Sequence, residues 1–141
     1  MFYRFMVTAL VAGVALSSAA DATEVKRKAE VRGDKEKVWA VIGEWCGIAS
    51  WHPAIAKCEE SSAGGKKVRT LTLKDGALIK ETQLSSTPLG YTYSIDESPL
   101  PVANYTASFS VEADDDDEDE TAVVWTPSST PRARARRTPR R

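Results

Sequence analysis

The 141-residue sequence predicts an α+β domain built on a mainly antiparallel sheet, and three observations predict it. An alternating segment opens at 23–33, a short apolar helical pattern follows at 34–52, and after Pro53 six strand-like segments come in succession. Strands that follow one another with only turns between them pair antiparallel, since parallel pairing needs long crossovers. With 42% hydrophobic residues, the chain supports one modest core and one domain.

The N-terminal stretch "MFYRFMVTALVAGVALSSAADATEV" carries Arg4, an apolar run over 5–16 and the small-residue pattern Ala20-Asp21-Ala22. That pattern predicts a secretory signal over 1–22, cleaved after Ala22. The run is shorter than the roughly 20 residues a membrane-spanning helix needs. The mature chain is therefore expected to be secreted and periplasmic, with no stable membrane insertion.

"TEVKRKAEVRG" then places Val25, Arg27, Ala29 and Val31 on one face and Glu24, Lys26, Lys28 and Glu30 on the other, a strand with one wet face. In "GDKEKVWAVIGEW" Asp34 stands in the N-cap position, and Val38, Trp39, Val41, Ile42 and Trp45 form an apolar face at helical spacing. Gly43 and Gly47 shorten this helix and hand over to a second around "GIASW", which His52-Pro53 ends. Strands are expected near 54–60, 68–74, 77–86, 90–97, 104–113 and 121–126, with "SSAGGKK", "KDGA", "STPLG" and "DDDDEDE" between most of them. Trp39, Trp45 and Trp51 are expected in the core and cavity wall.

A curved sheet needs a cover for its concave apolar face. The ending "TPSSTPRARARRTPRR" holds three prolines and no Leu, Ile, Val, Phe or Met, so 127–141 is expected to be a disordered tail. Its composition reads like GC-rich DNA translated out of frame, a frameshift product; a polybasic tail that meets anionic membrane surfaces is the alternative. The formal charge of −1 hides an asymmetry: 23–126 carries 12 Lys and Arg against 19 Asp and Glu, a net −7, while the last ten residues hold six arginines. A negative body excludes general nucleic-acid binding, which draws on phosphate neutralisation.

Little in the sequence spells out chemistry. There is one histidine, His52, and no G-x-S-x-G motif beside it, so a role at the helix–strand junction is expected in place of catalysis. Cys46, His52 and Cys58 lie six apart and match no metal motif. In an oxidising compartment the two cysteines permit a disulfide that closes a loop of about a dozen residues. Two free buried thiols fit equally well. "DDDDEDE" lacks the glycine and the distal glutamate of an EF-hand and reads as a solvated turn, and "AGGKK" lacks the parts of a phosphate loop. No metal and no cofactor is expected. In "ALIKETQL", alternation puts Ile79, Glu81 and Gln83 on one face. An acid facing a hydrophobic cavity has its pKa raised by desolvation, and Glu81 could act as general acid or base, orient a ligand, or pair with a lysine or arginine.

The stretches "VWAVIGEWCGIASWHPAIAKCE", "VRTLTLKDGALIKETQL", "YTYSIDESPLPVANYTASFSV" and "TAVVWT" resemble the SRPBCC superfamily, with the START-like or Bet v 1-like helix-grip fold. More closely, the chain resembles exported polyketide cyclase/dehydrase-like proteins of the MxaD type. This resemblance spans 23–126 and implies a seven-stranded antiparallel sheet, two short helices after the first strand, and a cavity beneath the sheet. In the family a long C-terminal helix follows the last strand; here it is missing or replaced by the tail. A more distant likeness to plant abscisic-acid receptors puts "KDGA" and "SPLPVANY" in the places of two ligand-closing loops, matches Glu81 and Tyr105 to polar cavity positions, and sets Ala56 where a carboxylate-binding lysine would stand.

Three functions follow from the resemblance. The first is binding of a small hydrophobic molecule near Trp39, Glu81, Tyr93, Leu100 and Tyr105. The second is cyclase/dehydrase chemistry with Glu81 and Tyr105 as candidate catalytic acid and base. The third is an accessory role beside a periplasmic redox protein, the methanol dehydrogenase of methanol oxidation.

Overall fold

The α+β expectation holds in the computed structural model, which describes residues 23–24 and 26–131. The expected signal segment lies outside the described residues, as does the tail beyond 131. β1 (Thr23–Glu24) and β2 (Arg27–Arg32) together form the first strand position, and both pair antiparallel with β8 (Glu120–Pro131). From β3 to β8 the sheet is an antiparallel meander: β3 (Ile55–Ala63), β4 (Lys66–Leu73), β5 (Leu78–Thr87), β6 (Gly90–Glu97), β7 (Val102–Ala113) and β8. Seven strand positions result, with β2 at one edge and β3 at the other. Two short helices, α1 (Lys35–Ile42) and α2 (Ile48–Trp51), carry the chain from edge to edge.

Local chemistry explains the element ends. Asp34 Oδ1 accepts the Lys37 N–H at 2.9 Å, the side-chain cap expected for α1. Gly43 closes that helix against the Trp39 indole, so near that any Cβ would overlap the ring. Gly64 and Gly65 sit at φ +58° and +77° in the β3–β4 turn, a conformation open to glycine at little cost. The Asp116 and Asp119 N–H groups donate to Asp114 and Asp117, so the acidic run caps itself as an exposed turn.

Two strands depart from expectation. All six residues of β2 are exposed, Val31 included at 41%, so its anticipated dry face is uncovered by the described residues. β8 extends to Pro131, so 127–131, expected to lack structure, pairs with β7. Pro127 offers no N–H, yet it falls opposite the break between β1 and β2, where no ladder bond is required of it.

The core lies between the concave face of the sheet and the helices. Tyr91, Phe109 and Trp125 form a row across β6, β7 and β8, and Trp39, Trp45 and Trp51 meet that region from the helical side. Cys46 and Cys58 form a disulfide, with Cα atoms 5.4 Å apart, that ties the α1–α2 link to β3. Closing a loop of 12 residues stabilises the fold by about 2 to 3 kcal/mol. It also removes both thiols from any metal set with His52. No helix among the described residues is long and apolar enough to cross a membrane.

Candidate functional site

A cavity of about 380 Å³ opens between α2 and the concave face of β3 to β8. Its walls are apolar and aromatic, since alternation along each strand delivers every second side chain inward: Leu71 and Leu73 from β4, Ile79 from β5, Tyr91, Tyr93 and Ile95 from β6. Trp51 and Phe109 stack at 5.5 Å with an interplanar angle of 11° and line it from α2 and β7.

One charged pair stands in this wall. Arg69 and Glu81 are direct cross-strand partners in the β4–β5 ladder, and Arg69 Nε donates to Glu81 Oε2 at 2.5 Å. The residues are 1% and 5% exposed. A buried charge persists only when paired and hydrogen-bonded, and Arg69 is held on several sides. Its Nη1 donates to the Trp45 carbonyl at 2.7 Å and to Tyr91 Oη at 3.2 Å, and its guanidinium lies 3.9 Å from the centre of the Trp45 ring. Burial pushes the Glu81 carboxyl up, while the charge and hydrogen bond of Arg69 pull it down; the net direction is up. Burial also raises the phenols of Tyr91, Tyr93 and Tyr105, which keeps them neutral hydroxyls. Tyr93 Oη accepts the Trp125 indole N–H at 3.0 Å.

Of the residues expected at the site, Glu81, Tyr93, Leu100 and Tyr105 line this cavity, Leu100 at its mouth with 46% exposure. Trp39 does not. It projects from α1 onto Tyr91 and Phe109, 5.7 and 5.8 Å away, and backs the wall from behind. His52 caps the end of α2, where its Nδ1 accepts the Ala54 N–H at 3.2 Å, and also lines the cavity. Lys57 stays outside, paired with Glu59 in solvent.

Arg69 is the residue that sequence reasoning missed. A signal was present: Arg69, Leu71 and Leu73 alternate in "VRTLTL", so an arginine shared a face with two leucines. The acidic turn brings carboxylates of Glu30, Asp114 and Glu120 within 4.8 Å of one another at the far end of β2 and β8, and their repulsion raises Glu30.

A family model described as polyketide cyclase / dehydrase and lipid transport matches residues 22–138. The comparison with curated proteins finds no match. Among solved structures, an uncharacterized protein of Bacillus thuringiensis is 30% identical with a TM-score of 0.72, covering 81% of this chain and 82% of that one. The protein XoxI of Bacillus cereus is 30% identical with a TM-score of 0.71, over 79% of this chain and 78% of its own. The Zhui aromatase/cyclase of Streptomyces sp. R1128 is 19% identical with a TM-score of 0.68, over 82% and 72%, a likeness of fold alone.

Proposed function

Because the chain belongs to the polyketide cyclase / dehydrase and lipid transport family, we propose that it binds a small, flat, largely apolar molecule with one hydrogen-bonding group in the cavity under the sheet. The observation that carries this reading is an aromatic-lined cavity of about 380 Å³ whose wall holds one buried ion pair. Aromatic walls favour a planar ring system through stacked and edge-on contacts. Glu81, ionised beside Arg69, offers an acceptor to a ligand hydroxyl. Titration with 1-naphthol and with 1-methylnaphthalene, equal in shape, tests it. The expected result is about tenfold tighter binding of the naphthol, worth about 1.4 kcal/mol, and loss of that preference in Arg69→Met combined with Glu81→Leu, which has no acceptor at that position. Equal affinity for both probes, or none for either, would sink the reading.

Cyclase/dehydrase chemistry is a second reading, favoured by the raised carboxyl of Glu81 and the neutral phenol of Tyr105 in one cavity. Turnover that survives unchanged in Glu81→Gln would remove that residue from catalysis. Export to the periplasm belongs to the same proposal; its support is the Cys46–Cys58 disulfide, a bond that persists in oxidising compartments. The accessory role in methanol oxidation rests on the sequence resemblance. Recovery of a dehydrogenase with the tagged protein from periplasm tests it, and background recovery would count against it.

A further inference from the structure

The ion pair in the cavity is seated by something outside the sheet. β4 and β5 supply Arg69 and Glu81, but the carbonyl that accepts from Arg69 and the ring that covers its guanidinium both belong to Trp45, in the link between α1 and α2. Trp45 is 3% exposed and precedes Cys46, which is bonded to Cys58 on β3. The strand that bears Cys58 pairs with the one that bears Arg69, Cys58 opposite Leu71. Link, disulfide and ion pair thus form one connected unit.

We infer that Trp45 is a positioning residue of the cavity: its ring and carbonyl hold the Arg69 guanidinium against Glu81, and the Cys46–Cys58 disulfide holds Trp45 in place. The inference rests on the cavity being a ligand site, and it predicts which ligand chemistry that site favours. With Arg69 seated, Glu81 is an ionised acceptor and selects a ligand that donates a hydrogen bond. With Arg69 released, burial and the charge of Asp96 both raise Glu81, its carboxyl takes up a proton at higher pH, and that selection fades. The other groups facing this carboxyl are Tyr91 and Tyr93 from β6 and Tyr105 from β7, with Asp96 further along β6 and His52 on the α2 side of the cavity. The phenols, raised by burial, stay neutral through the range in question.

The test uses the whole chain and two readouts. The first is a carbon-13 NMR titration of the Glu81 carboxyl, assigned by its loss in Glu81→Gln; the second is the affinity ratio of 1-naphthol to 1-methylnaphthalene. In Trp45→Leu, which keeps apolar bulk without an aromatic face, the Glu81 midpoint should rise and the ratio should fall about tenfold, the equivalent of about 1.4 kcal/mol. Trp45→Phe should retain most of the ratio. Reduction of the disulfide in the unaltered protein should move both readouts in the direction of Trp45→Leu. A Trp45→Leu protein that folds with an unmoved midpoint overturns the inference. If that variant does not fold, the reduced protein decides: an unmoved midpoint there overturns it, and a raised one sustains it. Should the unaltered protein bind neither naphthalene, the ligand reading fails, while the carboxyl titration still decides whether Trp45 positions the pair.

Discussion

Arg69→Met is expected to cost the fold about 3 to 5 kcal/mol at neutral pH, because it leaves a buried carboxylate without its partner. Glu81 is 5% exposed, and the influences that lower its carboxyl come from Arg69. Once the guanidinium is gone, only the raising effects of burial and Asp96 remain. The sign of the pH dependence follows. A carboxyl that titrates higher when folded than its unfolded value of 4.5 contributes stability that is fully present below that value and lost as pH rises through the folded pKa. The deficit of Arg69→Met relative to the unaltered protein should therefore be small near pH 4.5 and large near neutrality. Taking the difference removes groups common to both proteins, such as Asp34, whose carboxyl the Lys37 N–H holds low. Urea unfolding at both pH values measures it. Arg69→Met combined with Glu81→Leu should recover most of the loss, since removing both partners leaves no buried charge. A deficit that does not vary with pH would show that Glu81 does not depend on Arg69 for its charge.

This pair also marks the boundary of what the sequence discloses. Strand order, both helices, the Asp34 cap and the turn glycines follow from short-range rules, because period and local hydrogen bonding determine them. Glu81, Tyr93 and Tyr105 face the cavity for the same reason, since alternation along a strand fixes which side chains share a face; Leu100 reaches its mouth from the loop between β6 and β7. Arg69 escaped because its partner Glu81 stands 12 residues away on the next strand, and a strand assignment at 68–74 does not say what an inward arginine meets. Alternation could have exposed it. The Trp45 carbonyl could not be read at all, since a backbone acceptor has no residue-type signature and its direction depends on the path of the link. Trp39 joins the core as expected but backs the lining rings without reaching the cavity, because helical spacing gives a face and not the neighbour that face meets. The Cys46–Cys58 bond stood open in the sequence for a like reason: spacing permits a bridge, and only the approach of the link to β3 makes it.

Phe109→Ala is expected to cost about 3 to 5 kcal/mol, and its effect should fall on the joint between the helices and the sheet. The ring is 7% exposed and meets Trp39 of α1 at 5.8 Å, Trp51 of α2 at 5.5 Å and Tyr91 of β6 at 5.6 Å. Each aromatic pair adds about 0.5 to 1.5 kcal/mol beyond buried area, so truncation removes three at once and leaves a void beside the cavity. Phe109→Leu keeps most of the volume and should cost clearly less. The enlarged cavity should also bind 1-naphthol more weakly, because the ring that stacks on Trp51 is gone while Glu81 and Arg69 remain. Urea unfolding and the naphthol titration read the two effects separately. If Phe109→Ala cost less than about 1 kcal/mol, the helices would have to be held by the disulfide and the Trp45–Arg69 contact instead. Disulfide reduction would then be the more damaging change, an ordering opposite to the one that the packing around Phe109 implies.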